Sequence, residues 1–494
     1  MADFDLAIIG GGINGAGIAR DAAGRGLKVV LIEQNDLASG TSSASSKLIH
    51  GGLRYLEHGA VRLVHAALSE REVLLRMAPH LIRPLRFVLP LDPAAGRSPI
   101  MLRLGLLLYD LIGRRRILPG TRALDLLIDE AGVPLKRCFH HGYEYSDCFA
   151  DDARLVVLNA VDAAERGASI RTRTRCVRAE RGEVWRLVLN AHGVRDEVTA
   201  RVLVNATGAW VETVAESVLR QTPLGRLRLD KGSHIVVRRL YDHDRAYILQ
   251  AADGRVVFAI PFQDDYTLIG TTDRSFAGDP AAVAPSEEEI DYLCGVSNGY
   301  FRTEITAADV VWAYAGVRAL YDDGARKPQD VDRDYALIVD KGFGEAPLLT
   351  VYGGKLTTFR RLAEDALGRL SHFFPRARPW TASSALPGGD FGFDGAPALI
   401  ARIQSKGPFL SDGHARRLVG AYGTRAGTML DAATRLSDLG MHFGADLTAA
   451  EVRYLMAKEW AQNADDVLWR RSKLGLRFSA AERATLDRFM ARPD

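Results

Sequence analysis

Residues 4–33 set the first constraint on what this chain can fold into. An apolar run, Phe4-Asp5-Leu6-Ala7-Ile8-Ile9, leads into Gly10-Gly11-Gly12-Ile13-Asn14-Gly15. Helical periodicity follows over residues 16–23, and a second apolar run, Leu27-Lys28-Val29-Val30-Leu31-Ile32, ends in Glu33. Strand, glycine turn, helix, strand and terminal acid in this order form the Rossmann fingerprint for a dinucleotide. Gly10 permits the tight turn, Gly12 clears room for a pyrophosphate at the helix N-terminus, and Gly15 lets the helix pack closely on the strand. Glu33 is placed to accept hydrogen bonds from an adenosine ribose.

The pattern returns twice. Val202-Leu203-Val204-Asn205-Ala206-Thr207-Gly208 runs into a helix start at Ala209-Trp210-Val211. Leu348-Leu349-Thr350-Val351-Tyr352 leads through Gly353-Gly354 into a helical run over residues 355–370. Three such turns imply one nucleotide domain assembled from separated segments, with insertions between them. Residues 168–203 and 231–272 alternate apolar and polar in the manner of antiparallel strands, and the second set is expected to roof a substrate pocket. Leu386-Pro387-Gly388-Gly389-Asp390-Phe391-Gly392 has linker composition, and helical spacing resumes beyond it. The expected fold class is α/β plus α+β. Residues 1–85, 150–230 and 310–385 form the nucleotide domain, 86–149 and 231–309 a substrate or cap domain, and 386–494 a helical C-terminal domain.

At 494 residues the length favours about three domains, and 47% hydrophobic content can fill more than one core. A net charge of +3 makes no case for nucleic acid as a partner. Cys138, Cys148, Cys176 and Cys294 are far apart, with no metal-ligand spacing, so reduced thiols and no metal site are expected. The first apolar residues already belong to the first strand, with no basic segment ahead of them, which argues against a signal peptide. No segment reaches the roughly 20 uncharged apolar residues of a spanning helix. The most apolar long stretch, residues 99–117, places Arg103 and Asp110 two turns apart on one helix face and ends in three arginines. Two readings of it stay open: a helix lying in a bilayer interface, or a core helix with basic residues at its C-terminus.

Just past Glu33, a simple nicotinamide domain would continue its alternation of helix and strand. Here it meets Thr41-Ser42-Ser43-Ala44-Ser45-Ser46-Lys47-Leu48-Ile49-His50-Gly51-Gly52-Leu53-Arg54-Tyr55-Leu56. Hydroxyls and glycines of this kind suit the pyrophosphate and ribityl chain of a flavin, and equally a solvated loop. This block occurs with Tyr143-Glu144-Tyr145-Ser146-Asp147, Asp151-Asp152-Ala153-Arg154-Leu155, Lys231-Gly232-Ser233-His234 and Ile269-Gly270-Thr271-Thr272-Asp273. Gly316-Val317-Arg318 and Gly353-Gly354-Lys355-Leu356-Thr357-Thr358 complete the set. In this order, over nearly the whole chain, the blocks resemble the FAD-dependent glycerol-3-phosphate dehydrogenase family in its bacterial, aerobic form.

The resemblance implies a glutathione-reductase-like FAD domain and non-covalent FAD. It also implies oxidation of sn-glycerol 3-phosphate to dihydroxyacetone phosphate, with electrons passing to a membrane quinone. Peripheral attachment to the lipid bilayer at the cytoplasmic face of the inner membrane is expected, with a homodimer possible. The alternatives are a glycerol-3-phosphate oxidase, a D-amino acid oxidase or dehydrogenase, and, outside the enzymes, a flavin-binding sensor. By resemblance, the FAD contacts are Gly10, Gly12, Asn14, Gly15, Glu33, Thr41, Ser42, Ser45, Ser46, Lys47, Leu48, Val177, Ala206, Thr207, Gly208, Arg318, Gly354, Lys355, Leu356 and Thr357.

Hydride removal from a secondary alcohol needs a proton acceptor, a cation near the forming ketone oxygen, and a separate clamp for the phosphate. His234 is the preferred base and His50 the runner-up. Arg318 and Lys355 are placed near the reacting oxygen and flavin. By resemblance, Arg54, Tyr55 and Arg333, with Lys355, are assigned to substrate binding, where a guanidinium fork matches phosphate oxygens.

Overall fold

Strands Phe4–Ile9 and Val29–Ile32 pair in parallel, with Ile8 opposite Leu31, because residues 6–9 and 29–32 are apolar and need cover on both faces. In the computed structural model, residues 2–53, 56, 61–91, 99–113, 117–322, 334–374, 378–430 and 433–492 are described. Among them, the first sheet runs Ala336–Asp340, Leu348–Tyr352, Val194–Asn205, Phe4–Ile9, Val29–Ile32, Ser169–Arg171. All three glycine turns therefore leave neighbouring parallel strands at the same sheet edge. Leu6 and Ile8 face helices Ile13–Gly24, Asp152–Glu165 and Phe359–Arg369. Ala7 and Ile9 face the opposite way, into a core completed by Trp185, Leu187 and Leu189.

The alternation over 168–203 divides in two. Thr174–Arg181, Trp185–Ala191 and the start of Val194–Asn205 form the expected antiparallel meander. Ser169–Arg171 instead pairs in parallel with Val29–Ile32, because the helix before it, Asp152–Glu165, makes a crossover connection.

A second, mainly antiparallel sheet centres on Leu227–Arg238, flanked by Tyr266–Gly270 on one side and Val310–Tyr321 on the other. It continues through Val256–Phe262, Ala246–Gln250, Ile82–Pro90 and His141–Ala150. Helix Glu287–Tyr300 covers one face through Leu293 and Tyr300. Helices Val61–Met77 and Pro99–Ile112 cover the other through Val64, Leu68, Leu106 and Tyr109.

Helices Ala396–Lys406, Asp412–Tyr422, Ala449–Glu459 and Ala480–Met490 share a third core, with a short hairpin of His442–Gly444 and Leu447–Thr448. The stretch at 386–392 is not a free linker. Leu386 is buried and its amide bonds to Met77 O, while a Cβ on Gly388 would lie 2.1 Å from Tyr422 O. Glycine is required here because the chain passes between two packed backbones. Charge also crosses into the C-terminal region: Arg154 pairs with Glu459, both fully buried, and Arg471 grips Asp36 at 2.8 and 2.9 Å.

Helix Pro99–Ile112 meets part of each sequence-based reading. Leu106, Tyr109 and Asp110 are buried, and Asp110 accepts from the Thr121 amide. Arg103, two turns before Asp110 on the same face of the helix, lies exposed. Ile100, Met101, Leu104, Leu107, Leu108 and Leu111 are also exposed, the last at 75%. Among the described residues, no helix is long and apolar enough to cross a membrane.

Candidate functional site

The three glycine turns open into a single cavity of about 940 Å³ that extends beneath the second sheet. At one end it is lined by Gly10, Gly12, Glu33, Asn35, Thr174 and Cys176, and at the other by His50, His234, Arg318 and Lys355. Its shape suits an extended two-part ligand.

The first turn is held tightly by its neighbours. Gly10 has φ +115°, and a Cβ there would lie 2.5 Å from Ala206 O. Glu33 accepts from Gly11 N at 2.6 Å and Asn35 N at 2.8 Å, and burial raises its pKa. Ser42 Oγ accepts from Ile13 N at 3.0 Å, and Thr41 Oγ1 donates to Val317 O at 2.7 Å. Asn14 Nδ2 donates to Gly353 O at 3.0 Å, tying the first turn to the third, while its Oδ1 is buried with no partner. At φ +101°, Gly354 brings its backbone so close that a Cβ would lie 2.7 Å from Asn14 Nδ2. An orphaned amide oxygen and a cradle that any Cβ would crowd fit a bound dinucleotide.

Of the expected FAD contacts, Gly10, Gly12, Asn14, Glu33, Thr41, Ser42, Ser45, Ser46, Leu48, Ala206, Thr207, Gly208, Arg318, Gly354, Lys355, Leu356 and Thr357 line the cavity. Three do not. Gly15 sits beneath it, where a Cβ would meet Gly10 O at 1.9 Å, as helix-on-strand packing requires. Lys47 is turned inward, with its ammonium 2.9 Å from both Asp152 oxygens and 5.2 Å from the Tyr314 ring centre. Val177 lies at a bulge between Cys176 and Arg178, and its neighbours Arg175 and Cys176 line the cavity instead. Arg54, Tyr55 and Arg333 lie outside the described residues.

The two histidines approach from different elements. His234, 2% exposed, lies in strand Leu227–Arg238 between Gly270 and Tyr314 of the neighbouring strands. Its Nε2 shares a 2.8 Å hydrogen bond with Ser46 Oγ, its ring stacks on Tyr314 at 4.8 Å, and its Nδ1 is buried without a partner. Burial, then Lys47 and Arg318, push its pKa down to about 3. His50 stands edge-on to Phe258, and its backbone bonds to Thr357 Oγ1. Burial, then Lys355 and Arg318, lower its pKa to about 4. Both imidazoles are therefore neutral at neutral pH.

Arg318 lies on the same face of Val310–Tyr321 as Trp312, Tyr314 and Gly316. Its Nη1 is 2.8 Å from Asp273 Oδ1 and its Nη2 is 3.3 Å from Thr271 Oγ1. Gly316 and Gly232 are paired across the strands, and a Cβ on either would approach Ala44 or Thr271 within 3 Å. Trp312, Tyr314, Asp152 and Asp273 were not assigned from sequence. For the first two the signal was present, since counting back by twos from Arg318 reaches both.

Away from these polar groups, the cavity is lined by Leu89, Leu102, Tyr145, Ile248 and Phe258. Leu102 belongs to helix Pro99–Ile112, so this apolar arm leads toward the helix with the exposed apolar face.

The model of a family described as FAD dependent oxidoreductase matches residues 5–360. The C-terminal domain of alpha-glycerophosphate oxidase matches residues 380–491. A glycerol-3-phosphate dehydrogenase of Pseudomonas aeruginosa is 52% identical over 490 residues, covering 99% of this chain and 95% of its own length. A D-erythritol 1-phosphate dehydrogenase of Brucella abortus is 49% identical over 484 residues, covering 97% and 96%. Among solved structures, the glycerol-3-phosphate dehydrogenase of Bacillus halodurans complexed with FAD matches with a TM-score of 0.78 at 27% identity, covering 99% of this chain and 91% of that one.

Proposed function

The chain belongs to the FAD-dependent oxidoreductase family, with the C-terminal domain of the alpha-glycerophosphate oxidases, and from that premise we propose that it oxidises sn-glycerol 3-phosphate to dihydroxyacetone phosphate. Its cofactor is FAD. The observation that carries the reading is the single cavity joining the dinucleotide turns to His234, His50, Arg318 and Lys355.

Bound FAD supplies the hydride acceptor. The chain supplies proton removal, charge stabilisation and orientation. His234, neutral and hydrogen-bonded to Ser46, takes the hydroxyl proton of the substrate. The Arg318 guanidinium, fixed by Asp273 and Thr271, faces the oxygen on which charge develops. Lys355 follows the Gly353-Gly354 turn and adds positive charge beside the three-residue helical turn Leu356–Thr358. Arg54, Tyr55 and Arg333 hold the phosphate, an assignment that rests on resemblance alone.

A membrane quinone is the proposed electron acceptor. The apolar arm past Phe258, Ile248 and Leu102, together with the exposed leucines of Pro99–Ile112, supports peripheral attachment to a bilayer, and the face we propose is the cytoplasmic one. In the test, enzyme reduced by substrate reoxidises quickly with a soluble quinone analogue and slowly in air. Hydrogen peroxide formed as fast as substrate is consumed identifies an oxidase instead. A second substrate reading, a four-carbon polyol phosphate, is favoured by the 49% identical Brucella relative. Comparing kcat/KM for glycerol 3-phosphate and D-erythritol 1-phosphate separates the two.

A further inference from the structure

His234 stands at one end of a stack of four aromatic rings. Its imidazole lies 4.8 Å from the Tyr314 ring at 12°. Tyr314 lies 4.6 Å from Trp312 at 35°, and Trp312 lies 4.6 Å from Trp469 at 28°. His234 and Tyr314 are cross-strand partners, as are Val236 and Trp312, so the first three rings belong to one pair of strands. Trp469 comes from elsewhere, the π-helical turn Asp466–Arg471 beyond the glycine-rich stretch at 386–392. Its indole packs against the C-terminal core, while Trp312 packs against the core of the second sheet.

The turn that carries Trp469 is held from several directions. Arg471 and Arg470 bind Asp36, in the loop just past Glu33, and Arg173 binds Asp466 at 2.6 Å. Just after the turn, Leu476 O accepts from Tyr266 OH at 3.0 Å, and Arg477 reaches Asp265 at 2.6 Å. Gly475 makes room for the ring, since a Cβ there would lie 2.5 Å from the indole. π-Helical turns of this kind are uncommon and occur frequently at functional sites. At the other end, Tyr314 OH bonds to Ser45 O at 2.8 Å, beside the Ser46 that holds His234.

We propose that Trp469 is a positioning residue for the active site: it closes the stack on Trp312 and Tyr314 and so fixes the His234 imidazole at the angle needed for proton transfer. The proposal rests on the reading of His234 as base, and it gives the C-terminal region a part in the chemistry. A catalytic group misplaced by 1 Å loses on the order of 100-fold in rate.

The test uses full-length, FAD-loaded protein carrying Trp469→Leu, Trp469→Phe or Gly475→Ala, with anaerobic flavin reduction followed over a range of glycerol 3-phosphate and pH. Trp469→Leu should lower the limiting reduction rate by about tenfold or more. Its FAD content should stay at wild-type level, and its apparent Kd for substrate within about twofold. Trp469→Phe should recover most of the rate, and Gly475→Ala should fall with the leucine variant. Wild-type rates in Trp469→Leu overturn the proposal, as does an equal loss in the leucine and phenylalanine variants. If Trp469→Leu does not load FAD, an unimpaired Gly475→Ala overturns it. If wild-type flavin is not reduced by the substrate, the functional reading fails, and the stack is then tested by the His234 ring resonance, assigned with His234→Gln. That resonance should shift in Trp469→Phe and Gly475→Ala, and an unmoved signal refutes the proposal.

Discussion

Gly270→Ala is a one-methyl perturbation aimed at His234 without touching it in sequence. The new Cβ would lie 2.2 Å from Cδ2 and 2.7 Å from Cγ of the imidazole, where ordinary contact begins at 3.4 Å. The ring must retreat by about 1 Å, and it has no free path. Tyr314 stacks on it from the neighbouring strand, and Ser46 Oγ holds Nε2. Overpacking of this kind costs about 1–3 kcal/mol of stability. Displacing the proton acceptor by 1 Å costs on the order of 100-fold in flavin reduction. The variant should therefore melt somewhat lower, retain FAD, and reduce it about 100-fold more slowly in anaerobic stopped flow with saturating glycerol 3-phosphate. Reduction at the wild-type rate in a folded, FAD-loaded variant would show that His234 does no work in the chemical step.

Arg318→Ala should mainly lower kcat, by roughly 30- to 150-fold for a lost charge-assisted contact of about 2–3 kcal/mol. Arg333→Ala should mainly raise KM, and equal small effects in both would refute the division of roles. The His234 pKa falls from 6.5 to about 3 on folding, so the unfolded chain binds the extra proton first as pH drops. Stability from this group is complete above pH 6.5 and lost on the way down to 3, by about 3–5 kcal/mol. Urea titrations of wild type and His234→Gln at pH 7 and pH 4.5 should show the wild type losing more, and parallel losses would contradict the assignment. Leu104→Glu with Leu108→Glu changes two exposed positions on Pro99–Ile112, so the enzyme should fold, reduce its flavin normally and lose liposome binding. Retained binding would show that this helix is not the anchor.

The Rossmann half of the fold was legible because its signals are local. Phe4 to Glu33 carries strand, turn, helix and acid in sequence order, and the turns at Gly208 and Gly353 repeat the theme. Ser169–Arg171 was misread because three residues show no period, and only the crossover helix before them makes their pairing parallel. Lys47 was assigned to the flavin by resemblance, and nothing in the sequence signals that its ammonium pairs with Asp152, 105 positions away. Long separation along the chain also hid the contacts of Asp36 with Arg471 and of Trp312 with Trp469, which no window brings together. Helix Pro99–Ile112 stayed ambiguous because composition records apolar residues without saying which face packs. Here one face packs against the sheet and the other is left exposed.

The most direct test of the central claim is an anaerobic titration of the purified, yellow protein with glycerol 3-phosphate, followed by absorbance, with glycerol, lactate and D-alanine as controls. The account predicts bleaching of one FAD per chain by glycerol 3-phosphate, with dihydroxyacetone phosphate formed in equal amount and no bleaching by the controls. Bleaching by D-alanine or lactate but not by the phosphorylated polyol, or a flavin that stays oxidised with all four, would contradict it.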